Sequence, residues 1–150
     1  MIVYRISPCT FNRDLSGMGA ALYGGRWNSK GIYIVYTSMT PSLAMLESVV
    51  HLSGIPKNDY CMATINIPDD SILELRNSEL PAGWNQYLAP DALKVIGDRF
   101  ISHNKYLALR IPSAIVAMES NILINPNHPD FKKVRLISSE KILIDKRLVE

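Results

Sequence analysis

The sequence is sparing with the residues that staple, metallate or anchor a protein. Only two cysteines, Cys9 and Cys61, occur among its 150 residues. That is too few for a disulfide scaffold, and two thiols so far apart in a chain without an export signal are expected to stay free. CxxC and HExxH are missing, and His51, His103 and His128 are scattered, so the sequence offers no metal site. No stretch approaches the run of about 18 apolar residues that a membrane span needs. The start, Met1-Ile2-Val3-Tyr4-Arg5, has no basic segment leading into an apolar core. Both absences predict a cytoplasmic chain with no membrane segment. Excess charge is also lacking: 16 Lys and Arg face 14 Asp and Glu, for a net +2. The basic residues cluster only at Lys132-Lys133-Val134-Arg135 and Lys146-Arg147, which reads as solvated surface and argues against direct nucleic acid binding. Repeats, low-complexity tracts and Gly/Ser/Pro-rich linkers are absent too.

What remains is an ordinary globular composition, 47% hydrophobic and 20% charged. One domain over residues 1–150 is expected, able to bury roughly two-thirds of its unfolded surface. Segments rich in β-branched and aromatic residues at 32–37, 61–67, 106–111, 114–118, 121–125, 134–137 and 141–144 predict six or seven short strands. Two helices are predicted. The first covers 42–52, with Thr40 as its cap and Pro41 at its first position; the second covers about 90–103, with Leu93, Ile96 and Phe100 on one stripe. Strands that cluster, without helices alternating regularly between them, give an α+β class with a mixed sheet and flanking helices.

Four segments could carry chemistry. In Tyr23-Gly24-Gly25-Arg26-Trp27-Asn28 the paired glycines permit a tight turn and close approach of a ligand, and the Arg26 guanidinium is a fork of donors suited to phosphate or carboxylate. A surface turn with a solvated arginine would have the same sequence. On the following strand Tyr36 shares a face with Ile32 and Ile34, either as core or as a ring for stacking on a base or nicotinamide. On the first helix the 100° step sets Glu47 between Leu43 and Val50, a carboxylate on an apolar face. Such a group is paired, for instance with Arg5 or Arg26, or else protonated or lining a cleft where its charge is used. Ser113, after Pro112, marks the entry into a strand. GxSxG is absent and no His/Asp pair accompanies Ser113, so a serine hydrolase is disfavoured.

Taken in order, Gly25-Arg26-Trp27-Asn28, Tyr36-Thr37-Ser38, Leu43-Ala44-Met45-Leu46-Glu47, Ile111-Pro112-Ser113-Ala114 and the stretch Asn121-Ile122-Leu123-Ile124-Asn125-Pro126-Asn127-His128-Pro129-Asp130-Phe131 closely resemble the RES-domain toxin family. The resemblance covers almost the whole chain. The arginine, glutamate and serine that name the family map onto Arg26, Glu47 and Ser113. It implies a fold like that of ADP-ribosyltransferases and diphtheria-type toxins. It also implies a bacterial toxin that degrades NAD by hydrolysis or phosphorolysis, with inorganic phosphate as co-substrate in the second case, and an Xre-type helix-turn-helix antitoxin as partner. On that reading Glu47 stabilises an oxocarbenium-like state, Arg26 holds the pyrophosphate or the incoming phosphate, and Tyr36 stacks on nicotinamide or the adjacent ribose. Ser113 bonds the nicotinamide amide or positions the ribose, with Asn28 and Arg5 as second-tier ligand-binding residues. The alternatives are ADP-ribosyl transfer to a macromolecule and, from another class, a non-catalytic interaction module. A homodimer stays open as an assembly, although no heptad or long apolar edge forces it.

Overall fold

The computed structural model describes residues 1–149. Seven strands form one sheet: β1 (Ile2–Pro8), β2 (Val35–Ser38), β3 (Tyr60–Asn66), β4 (Ile72–Glu74), β5 (Ala108–Pro112), β6 (Ser120–Ile124) and β7 (Arg135–Ile142). Their spatial order is β4-β5-β6-β2-β1-β3-β7. Every neighbouring pair is antiparallel except β4 with β5. Three helices accompany the sheet: α1 (Met18–Tyr23), α2 (Pro41–Val49) and α3 (Ala92–His103). This is the expected α+β class with a mixed sheet.

Strand alternation divides the core into two layers. Val3, Val35, Ala63, Ile65, Ile122 and Ile124 pack on one face. On the other, Leu109, Ile111 and Leu123 meet Trp27, Ile34 and the apolar stripe of α3, namely Leu93, Phe100 and Ile101. Burial on both faces explains why Ile122–Ile124 of β6 reads as a continuous apolar run. Helix α2 begins as its sequence predicts: Thr40 accepts a hydrogen bond from the Leu43 amide at 3.1 Å, and Pro41 occupies the first turn.

Three expectations need correction. Cys9 and Cys61 are disulfide-bonded. Their separation of 52 residues collapses because β1 and β3 are antiparallel neighbours, with Ser7 opposite Cys61 and the Cys9 amide bonded to the Asp59 carbonyl. Residues 114–118 form a turn, since the Ser113 hydroxyl accepts from the Ile115 and Val116 amides and bends the chain as soon as β5 ends. The segments at 134–137 and 141–144 fall largely on one continuous strand, β7. Strands β1 and β4 and helix α1 were not predicted.

Candidate active site

The turn between α1 and β2 is built to hold a short segment firmly against the sheet. Gly25 and Asn28 form an isolated bridge, and a Cβ at Gly25 would stand 2.7 Å from the Tyr36 hydroxyl, so only glycine allows this approach. Tyr36 donates to Asn28 Oδ1 at 2.7 Å and accepts from the Trp27 amide at 3.1 Å. Asn28 Nδ2 in turn donates to the carbonyls of Ala20, Ser29 and Ile32. Helix α3 closes the assembly from outside, where Asp98 accepts from the Ser29 amide at 2.9 Å and the Ser29 hydroxyl at 2.6 Å. The result is a rigid mount for Arg26, whose Nη1 donates to the carbonyls of Trp84 at 2.9 Å and Gln86 at 3.0 Å.

Glu47 approaches from α2. Its Oε1 accepts from the Ser113 hydroxyl at 2.8 Å and from Asn121 Nδ2 at 2.5 Å. Ser38 completes the group by donating to Asn121 Oδ1 at 2.7 Å. Register explains the meeting: Ser38 and Ile111 both lie opposite Asn121, and Tyr36 lies opposite Leu123, so all five share one face of the sheet. Among the described residues Glu47 makes no ion pair with Arg5, Arg26 or any other cation. Its flank is less apolar than the helical spacing suggests, since Leu43 is fully buried but Val50 is exposed.

A cleft of about 830 Å³ runs between these groups, and Arg26, Tyr36, Glu47 and Asn121 line it together. This lies within the range of roughly 300–1,000 Å³ usual for small-molecule sites. Its rim carries aromatic rings from Tyr23, Trp84 and Tyr87. Burial pushes the Tyr36 phenol well above the ordinary tyrosine value, so it is a neutral donor at physiological pH.

Of the residues singled out in the sequence, Arg26, Tyr36, Glu47 and Arg5 line the cleft and Ser113 joins it through its bond to Glu47, whereas Asn28 does not line it. Asn28 is fully buried and its side chain is spent on bracing the turn. Arg5 contributes to the cleft wall, but register with Ala63 sends its side chain to the opposite face, where Nη1 donates to the Asp14 carbonyl at 2.6 Å. Burial holds its guanidinium below the ordinary value, and Asp14 opposes that shift. Ser113 also differs from expectation. Its single proton goes to Glu47 and its lone pairs take two amides, so it has nothing left to offer a nicotinamide. Asn121 and Ser38 were overlooked as site residues. Each sits within a motif of the family resemblance, but no local pattern marks Asn121 as polar support for a glutamate 74 residues away in the chain, or Ser38 as the brace behind Asn121.

A family model described as the RES domain matches residues 2–145, nearly the full length over which this site is assembled. The chain belongs to the RES-domain family. Relatives of this RES domain include the Prs ADP-ribosylating toxin of Sphingobium sp. (strain YBL2), 39% identical over 141 residues, covering 91% of this chain and 87% of that protein. Toxin Res of Photorhabdus laumondii is 35% identical over 153 residues, covering 100% of this chain and 98% of its own. Among solved structures, the RES domain is similar to a chain of the Mycobacterium tuberculosis MbcT–MbcA toxin–antitoxin complex. The TM-score is 0.78 at 18% identity, over 94% of this chain and 83% of that one. At that identity the likeness speaks to the fold, which the two share.

Proposed function

We propose that this RES domain is the toxin of a bacterial toxin–antitoxin pair and that it cleaves the nicotinamide–ribose bond of NAD. The observation that carries the reading is the state of Glu47: a carboxylate in a ligand-sized cleft, held by two neutral donors and, among the described residues, balanced by no cation. An unpaired carboxylate is costly to keep partly buried, and a site that develops positive charge repays the cost. Breaking the bond to the positively charged nicotinamide ring sends the bonding electrons to that ring, which leaves neutral while the ribose becomes oxocarbenium-like. Glu47 stabilises this charge and accepts from a ribose hydroxyl. Tyr36 offers its ring to the nicotinamide or ribose, and the remaining guanidinium nitrogens of Arg26 bind the pyrophosphate. Water then adds at the anomeric carbon to give ADP-ribose and a proton, or inorganic phosphate adds to give ADP-ribose-1″-phosphate.

The names of the relatives support the toxin reading, and the mycobacterial neighbour, solved with its antitoxin, supports an antitoxin partner. We take that partner to be an Xre-type helix-turn-helix protein and the site of action to be the cytoplasm. A second reading, transfer of ADP-ribose to a macromolecule, is favoured by the name of the Sphingobium relative. One experiment separates the two. Purified protein is incubated with NAD, with and without phosphate, and nicotinamide and adenylate-labelled products are resolved chromatographically. Glu47→Ala should slow nicotinamide release by about two to four orders of magnitude with much smaller change in NAD affinity. Label appearing on a macromolecule selects the transferase. Growth arrest that survives replacement of both Arg26 and Glu47 with the fold intact would instead mean a non-catalytic module.

A further inference from the structure

The cluster around Glu47 contains a directional relay. Resting on the reading of Glu47 as the group that meets the ribose, we propose that Asn121 is a positioning residue for the reaction. With Ser38 behind it and Ser113 beside it, it fixes which oxygen of Glu47 faces the substrate.

The argument is one of donors and acceptors. A carboxylate only accepts, so the Asn121 amide must turn Nδ2 toward Glu47, where it donates at 2.5 Å. Its Oδ1 is then the end that takes the Ser38 hydroxyl at 2.7 Å, and Ser38 is itself almost wholly buried. This second bond stops the amide from flipping. Ser113 is equally constrained, because its oxygen accepts the Ile115 and Val116 amides, both at 3.0 Å, and its only proton is committed to Glu47 at 2.8 Å. Both donors meet the same atom, Oε1. The carboxylate therefore cannot spin about its last bond without losing two hydrogen bonds, and among the described residues Oε2 has no protein partner. Oε2 is the oxygen left for a ribose hydroxyl. An orientation enforced before substrate arrives lowers the barrier without improving ground-state binding, so its loss appears in kcat.

Asn121→Asp keeps the shape of the side chain and replaces the donor with a second carboxylate; Asn121→Ala removes it; Ser38→Ala leaves Asn121 in place but frees its amide. Steady-state nicotinamide release is measured for each, with circular dichroism confirming the fold. The expected result is a kcat lower by about 10- to 100-fold for both Asn121 variants, with KM for NAD within about threefold of wild type. Ser38→Ala should lose about three- to tenfold, and Ser38→Ala with Asn121→Ala no more than Asn121→Ala alone, because both act through one path. A kcat within twofold of wild type in folded Asn121→Asp, or a rise in KM with kcat unchanged, overturns the assignment. If Asn121→Ala does not fold, Asn121→Asp and Ser38→Ala decide the matter. Growth arrest on induction is followed in parallel. If wild-type protein arrests growth yet releases no nicotinamide from NAD, the NAD-cleaving reading fails, and relief of arrest by Asn121→Asp still upholds the positioning role. Arrest undiminished by Asn121→Asp refutes it.

Discussion

Gly97 lies in the interior of α3, where alanine would ordinarily stabilise a helix by about 1 kcal/mol. Here the sign should reverse. A Cβ built at Gly97 would stand 1.7 Å from the Trp27 carbonyl oxygen and 2.8 Å from its carbonyl carbon, against 3.4–4 Å for ordinary contact. The obstacle is backbone, and it belongs to the turn that mounts Arg26. Helix and turn would have to separate by about 1.5 Å, which a close-packed interior resists. Overpacking costs typically about 1–3 kcal/mol, and an unyielding backbone contact belongs at the upper end. After the helical gain, Gly97→Ala should lose about 2 kcal/mol, or about 4–8 °C in Tm for a chain of this size. It should also loosen the Ser29–Asp98 contacts and weaken substrate binding through Arg26. Gly19→Ala is the internal control, since nothing lies within 4 Å of a Cβ there and α1 should gain stability. Urea unfolding of the three proteins, with NAD turnover measured on each, is the assay. Gly97→Ala as stable as wild type, or stabilised like Gly19→Ala, would refute the packing argument.

Reduction of the Cys9–Cys61 bond releases a loop of 52 residues, worth about 4 kcal/mol by loop-closure entropy; melting with and without reductant should show a large drop in Tm, and superimposable curves would contradict it. Tyr36 gives a pH signature. Its phenol is raised in the folded state, so the stability it contributes is complete below the unfolded tyrosine value of about 10 and is lost as pH rises beyond it. The urea midpoint should fall between pH 9 and 11 more steeply in wild type than in Tyr36→Phe, and equal slopes would remove Tyr36 as the cause.

The elements legible in the sequence are those whose signal is local. Helix α2 announces itself through Thr40 and Pro41, β3 through its alternation of buried and half-buried residues, and β6 through the apolar run Ile122–Ile124, buried on both faces. Strand β1 hides because its two faces serve different ends, Val3 in the core and Tyr4 on the cleft side, which blurs the alternation. Strand β4 is three residues long and gains its place by pairing with β5, a contact no local pattern encodes. At 114–118 composition favoured a strand, but one side-chain hydroxyl, that of Ser113, captured two amides and made a turn. The same logic applies to the site. Glu47 stands out as a charge between apolar residues on a helix face, whereas Asn121 and Ser38 gain meaning only once β2, β6 and β5 lie side by side.

Arg26 shows how a correctly chosen residue can still have a double role. The sequence marks it as a free fork for an anion, yet Nη1 already binds the carbonyls of Trp84 and Gln86. Those bonds fasten the segment that brings Trp84 and Tyr87 to the rim of the cleft, and they also fix the plane of the guanidinium. Clamp and ligand group are compatible, because Nε and Nη2 have no protein acceptor among the described residues and the carbonyls orient them in advance. Replacing Arg26 therefore removes an anion contact and releases part of the cleft wall at once, so KM and kcat should both suffer. Glu47 is different: its partners are neutral side chains anchored elsewhere in the sheet, and its removal leaves the walls standing. The chemistry of this site is for that reason read most cleanly at Glu47 and its architecture at Arg26.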